Sequence, residues 1–464
     1  MPTTERSDQD IPINIEAIDA ALAQNINLPD DDQIIEFLLK VLKKQLRQAL
    51  QVALTLEFST IPPYLVALYS LEDKSSPAYQ IIRSVALEEM LHINLACNLM
   101  NAIADGKDDH PKFYGDVDIN LLVPINSEDD KKKLTLPINY PDEFLRPILN
   151  GPRVQLMAAS TELIRQTFMG IEQPLPETDI QIKLLQEQEF DSIGQFYQAI
   201  EQLFELCVRV AGDDKNKVFT GNQDWQRTDF YFGSGGGKPI KVTDIDTAKE
   251  AIKQIMEQGE GAIPPNTGYD KNQPYGTYNQ YGLRSDGTYG PILGTPYQLS
   301  HYFKFKAIAD GIVPLPSVHP MIPNPSQSKF ESAGNEDAKV LNEIFNLCYS
   351  LLVKALQDIF SEDNDSYFSV IVTLMQSVFP TLATQLMQTP MYTDGNKTLG
   401  PTAGPSFEYD HNYQDSDLDS ILNVIKTAIS NALNPPNNLS SSTKATLEAV
   451  KKAICGITEC SSSS

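Results

Sequence analysis

Apolar residues recur at steps of three and four along most of this chain, and the runs they mark out read as helices. The first run, residues 32 to 71, carries Leu42, Leu46, Leu50 and Ala53 on one stripe. Pro62 and Pro63 interrupt it; they lack amide donors and obstruct the preceding turn, so a kink or restart is predicted just after Glu57. A second helix is predicted from about 77 to 104. Others are expected near 151 to 170 and 191 to 211, then from an N-cap among Thr243, Asp244 and Asp246 to a stop at Gly259 and Gly261. Helix resumes at 296 to 310, two long patterns fill roughly 335 to 388, and two more close the chain near 416 to 454. Between them lie a polar, proline-punctuated stretch to about 150, a glycine-rich loop at 232 to 239, and a long Tyr/Gly/Pro loop at 261 to 296 that includes Tyr269, Tyr275, Tyr278, Tyr281 and Tyr289. A structureless loop of that length is usually functional or disordered. Alternating strand patterns are scarce, no internal repeat is found, and the fold class expected is all-α.

The stripes contain residues that do not belong in an apolar core. In the second helix the buried face reads Val85, Glu89, His92, Ala96, Leu99, Ile103. In the first, the stripe leads to Glu57, with Tyr64 and Leu68 beyond the prolines. A third runs Tyr297, His301, Phe305, Ile308. Burying an unpaired polar group costs roughly 2–7 kcal/mol. Taken singly, such a His is a hydrogen-bonded core residue and such a Glu a boundary residue; their conjunction points elsewhere. Glu and His at i and i+3 share one side of a helix, and a glutamate from a facing helix can meet them, which is how four-helix bundles hold a carboxylate-bridged metal pair. Oxygen and imidazole donors without thiolate suit iron or manganese, and affinity alone does not exclude zinc. Glu88 lies about 100° from the stripe, which assigns it to the outer support of the site or to the surface.

Composition narrows the classes. Against 61 acidic residues stand 36 basic ones, a net charge of -25 that repels a phosphate backbone, so nucleic acid is not expected as a partner. The first 25 residues lack the charged and apolar regions of a signal peptide and no stretch approaches 18 apolar residues, so a cytoplasmic protein without a membrane span is expected. Of five cysteines, Cys97, Cys207 and Cys348 sit in apolar helical patterns as small buried hydrophobes, and Cys455 and Cys460 lie together near the end, a disulfide or, more commonly in a cytosolic protein, two thiols.

Two stretches, "LEFSTIPPYLVALYSL" and "IIRSVALEEMLHINLACNLMNAIA", followed by "FMGIEQP" (168 to 174), "SIGQFYQAIEQLF" (192 to 204), "EQGEG" (257 to 261), "SHYFKF" (300 to 305) and "AGPSFEY" (403 to 409), carry a family likeness. Over roughly residues 35 to 410 the chain resembles the ferritin-like domain of the iminophenylpyruvate dimer synthases that build violacein and rebeccamycin-type bisindoles. The resemblance implies a ferritin-like four-helix bundle with additional C-terminal helices and a metal site made from Glu57, Glu89, His92, the residue at 195, Glu260 and His301. Position 195 is Gln where the family pattern has glutamate, with Glu201 as a substitute, and Glu260 and His301 are separated by the tyrosine loop. The dimer synthases are much longer and carry a haem region without a counterpart here, so the scaffold and metal carry over and the imine-coupling reaction does not.

The domain division expected is a loose segment 1–31, a metal-binding bundle 32–311, a helical part 312–456 packed on it, and a Ser-rich tail 457–464. The leading function is an oxidoreductase that binds one or two iron ions and uses O2 on a small organic, amino-acid-derived substrate, with the tyrosine loop covering it. Metal handling without turnover is the alternative, and a structural helical protein whose buried Glu and His satisfy one another is a third. With a neutral amide at Gln195, one metal is expected to bind tightly at Glu57, Glu89 and His92, and a second more weakly near Gln195, Glu260 and His301.

Overall fold

The computed structural model describes residues 32–106, 109–118, 133–138, 140, 154–174, 190, 192–212, 214–229, 231, 237–259, 281–283, 289–291, 299–361, 366–397, 399–434 and 438–461. Four helices form the core that positions the site: α1 (Asp32–Ser70), α2 (Pro77–Ala102), α4 (Ile193–Val210) and α5 (Ile245–Gly259). Between α2 and α4 comes α3, a short continuous run of Thr161–Leu163, a π turn at Ile164–Phe168, and Met169–Ile171. Helix α6 (His301–Ala309) follows α5 and packs on α3 and α2. Within the core, α1 contacts α2 and α4, while α5 closes the ring against the same two helices.

Local chemistry fixes the helix starts. Ser76 accepts a hydrogen bond from the Tyr79 amide with Pro77 in the first turn, and Ser192 accepts from the Gln195 amide at 3.1 Å. At α5 the cap is reciprocal: the Asp244 carboxylate accepts from the Thr247 amide at 3.0 Å, and the Thr247 hydroxyl accepts from the Asp244 amide at 3.1 Å.

A second group of helices, α7 (Glu336–Ser361), α8 (Ser366–Thr373, a π turn at Leu374–Val378, and Phe379–Gln388), α9 (Leu418–Leu433) and α10 (Ser441–Ser461), packs around α7 and α8. It covers the face of α1 and α2 that the core ring leaves open. An apolar cavity of about 110 Å³ lies at that junction, lined by Phe58, Ile61 and Leu65 of α1 and by Leu87, Met90 and Ile93 of α2, and closed by α7 and α8. Polar pins cross the same junction, with the Asn101 amide donating to the carbonyls of Trp225 (2.9 Å) and Phe360 (3.0 Å). As a result α2 is buried nearly all round, from Ile81 to Ala102.

Several expectations change. Helix α1 runs unbroken through Pro62 and Pro63. The Pro63 nitrogen has no hydrogen to give Ser59, but the Tyr140 hydroxyl donates to that carbonyl instead. A side-chain hydroxyl thus replaces one of the two ladder bonds that the prolines remove, and the helix runs on without a restart. Residues 154–160 are not helical: Leu156 and Ala159 donate their amides to Asn324 and Ser70 at 2.9 and 2.8 Å, so helix begins only beyond the Ser160 cap. Likewise α6 begins at His301, not at 296, and α10 continues to Ser461 into the expected tail. Part of the tyrosine loop forms a small antiparallel pairing of Tyr281–Leu283 with Tyr289–Pro291. The Cys460 side chain lies outside the described residues, and with it the expected relation of Cys455 to Cys460, as do the N-terminal segment and most of the tyrosine loop. By length and composition α1 and α8 are apolar enough to cross a membrane, contrary to the expectation that no stretch is, yet the apolar window of α1 is wholly buried in the protein's own core.

Candidate metal centre

All three predicted stripes meet at one place. From α1 come Glu57 and Thr60, from α2 come Glu88, Glu89 and His92, and from α6 comes His301; Glu57, Glu89 and His92 are 5 % exposed or less and His301 not at all. Donor atoms of Glu57, Glu89 and His92 all lie within 4.8 Å of one another, and so do those of Glu89, Glu172 and His301. Glu89 belongs to both groups: its Oε2 lies 3.8 Å from His92 Nδ1, and its Oε1 lies 2.9 Å from His301 Nδ1. The two imidazoles stack across it with ring centroids 5.4 Å apart.

Each histidine is held from behind. Nε2 of His92 faces the Gln258 amide oxygen at 3.1 Å, and Nε2 of His301 faces Glu88 Oε2 at 2.8 Å. With Nε2 engaged in this way, Nδ1 of each ring is the nitrogen turned toward the carboxylates. The carboxylates are oriented in the same way: Tyr197 donates to Glu57 at 2.6 Å, Tyr64 to Glu172 at 2.7 Å, and Thr60 to Glu89 at 3.1 Å. Gly259, at the end of α5, leaves room for this packing, since a Cβ there would stand 3.3 Å from Glu172 Oε2.

Electrostatics bind these groups together. Burial, reinforced by the charges of Glu172 and Glu57, pushes the Glu89 carboxyl well above its ordinary value. Burial alone would raise Glu57 too, but its contact with His92 and the bonds with Glu89 and Tyr197 bring it below. Desolvation disfavours a charged His301, yet Glu172, Glu88 and Glu89 outweigh it and raise the imidazole well above its usual value. Carboxylates this close in a dry site share positive charge.

The donor set fits a pair of cations. Ligand bonds of about 2.0–2.2 Å place neighbouring donors at the separations found here. Nδ1 of His301 is buried, 2.9 and 3.5 Å from Glu89 and Glu172, and has no aligned hydrogen bond to either. Glu57 and His92 would hold one ion, Glu172 and His301 the other, with Glu89 between them.

Of the residues expected at the site, Glu57, Glu89, His92 and His301 converge. Gln195 does not join them. It is half-buried and is not among the residues lining the space at the donors; Tyr197, two positions and so about 200° further round α4, takes the place facing Glu57. Glu201 faces Lys249 of α5 at 3.9 Å instead of the donors. Glu260 lies outside the described residues, directly after Gly259, which lines the site. Glu172 was missed by periodicity because it follows the short α3 in a turn; its only sequence signal is the "FMGIEQP" stretch. Glu88 proves fully buried and supports His301.

A family model described as ferritin-like matches residues 50–310, more than half of the chain. A ferritin-like protein from Caulobacter vibrioides is similar in structure over 79 % of this chain and 98 % of its own, at 19 % identity and a TM-score of 0.46. No curated protein matches. From the span of that family match, which runs from within α1 to the end of α6, the chain belongs to the ferritin-like family.

Proposed function

We propose that this protein is a metal-dependent oxidoreductase that binds two divalent ions, iron in the first place, and uses O2 on a small organic substrate. The observation that carries this reading is the pair of buried Glu/Glu/His groups sharing Glu89. Manganese and zinc suit the same donors. The earlier expectation of a weak second position rested on Gln195; Glu172 supplies the carboxylate that position needed, so two comparable sites are proposed. When bound, such a metal pair supplies redox and Lewis-acid chemistry. The chain's own residues do the rest. Tyr197, Tyr64 and Thr60 fix the carboxylate rotamers, Gln258 and Glu88 hold the histidine tautomers, and Leu56, Ile193, Ile255 and Met256 keep bulk water from the donors. The motif likeness to the dimer synthases supports an amino-acid-derived substrate.

One observation favours a second reading, iron handling without an organic substrate. Among the described residues the space at the donors is about 20 Å³, far smaller than an organic substrate. Anaerobic purification, Fe(II) titration and then O2 uptake separate the two. Two Fe(II) per chain with O2 uptake that is stimulated by amino-acid-derived oxidisable compounds supports the oxidoreductase; uptake that depends on Fe(II) alone supports iron handling; absence of binding refutes both.

A further inference from the structure

Lys304 is a fully buried lysine with no place in the donor set. It sits on α6 one turn after His301, so both side chains leave the same face of the helix. Both reach one atom: Glu88 Oε2 lies 2.8 Å from His301 Nε2 and 2.5 Å from Lys304 Nζ. The three side chains are completely buried, and the other Glu88 oxygen has no hydrogen-bond partner. Replacing a buried ion pair by apolar groups is often neutral or stabilising, so stability alone is a weak reason to keep one here. Its position directly behind a donor ring supplies another.

A carboxylate that accepts the Nε2 proton of a histidine makes the opposite nitrogen a stronger donor to a metal. The other histidine of the centre, His92, rests on the neutral amide of Gln258. A bare Glu88 would therefore make the two halves unequal. The ammonium of Lys304 draws on the same Glu88 oxygen and cancels its charge.

On this basis we propose that Lys304 is a positioning residue that acts through Glu88 to set the cation affinity of the His301 half of the centre, holding it close to that of the His92 half. The proposal rests on the metal-pair reading above. It predicts opposite effects from removing the two partners. In Glu88→Gln the amide oxygen can keep both hydrogen bonds while its NH2 takes the position of the unpartnered oxygen, so the change is chiefly one of charge: the site gains a positive charge. In Lys304→Met it gains a negative one.

The test is Co(II) titration of the metal-free full chain, followed by its visible absorption and by competition with a chromophoric chelator, in wild type, Glu88→Gln, Lys304→Met and the double variant. Glu88→Gln is expected to weaken one of two binding steps by about 10–100-fold, the usual effect of losing such a supporting partner. Lys304→Met should tighten that same step, and the double variant should return toward wild type, which simple loss of structure would not produce. Should Lys304→Met fail to fold, Lys304→Gln, which keeps a donor toward Glu88, must show the same tightening. Two steps in wild type with both single variants shifted in one direction, or with neither shifted, overturns the role of Lys304 alone. No Co(II) uptake by the wild type overturns the metal pair and this proposal together.

Discussion

Replacing Tyr140 by Phe removes a single oxygen, and the structure says what that oxygen is for. Tyr140 is 2 % exposed, and its hydroxyl donates to the Ser59 carbonyl, which Pro63 leaves without a helical donor. Without the hydroxyl that carbonyl is a buried acceptor with its partner gone, a cost of about 1–3 kcal/mol. The cause can be isolated by restoring the missing amide. In Pro63→Ala the backbone N–H at 63 is again available to Ser59, so Tyr140→Phe in that background should cost less than about 0.5 kcal/mol, giving a coupling energy of about 1 kcal/mol or more. Equilibrium urea unfolding of the four proteins, compared by midpoint at constant slope, is the better assay, because heating shifts a unit of 150–250 residues by only about 2–4 °C per kcal/mol. An equal cost of Tyr140→Phe in both backgrounds would refute the account of how α1 passes its prolines unbroken.

Glu172→Ala should lower metal content from two ions per chain toward one while His92→Ala leaves only the Glu172 and His301 position, as elemental analysis after dialysis would record; Gln195→Glu should leave the content unchanged. Gly221→Ala should destabilise by about 1–3 kcal/mol in urea, because a Cβ there would stand 1.8 Å from the Asn101 carbonyl oxygen, a backbone atom that the adjoining bond from the Gly221 amide to Ala102 keeps in place; stability equal to wild type would contradict it. Partial burial pushes the Asp105 carboxyl up, but hydrogen bonds from Lys43 and Thr220 and the charges of Lys43 and Arg47 prevail and hold it below its ordinary value of 3.8. Its stabilisation is therefore complete above 3.8 and lost as pH falls through the lower folded value, so Asp105→Asn should be less stable than wild type near neutrality, with the gap closing in acid; a gap that stays constant down the acid limb would exclude this pair as its source.

The long helices and their site residues were legible because period and burial agree: Glu57, Glu89, His92 and His301 each stand where an apolar residue belongs. Where that agreement fails, so does the reading. Glu172 occupies a turn after a short helix with a π segment, where no period exists to violate. Glu88 lies off the apolar stripe, but α2 is enclosed from every side, so being off the stripe does not mean being exposed. Gln195 was chosen by motif position, and the phase of α4 turned Tyr197 to the site in its place. The prolines of α1 obey a local rule that a hydroxyl 77 residues away, at Tyr140, sets aside.

The junction where α7 and α8 close over α1 and α2 also bears on how the chain is made. During synthesis the four core helices leave the ribosome before residues 336–407 exist, with Phe58, Ile61, Leu65, Leu87, Met90 and Ile93 still facing water. At about 5–20 residues per second, the stretch from the end of α6 to Phe407, which completes that wall, takes on the order of 5–20 s. Over that interval the nascent bundle presents a sticky apolar face, a natural substrate for holding chaperones and a point at which slowed translation would favour aggregation over assembly.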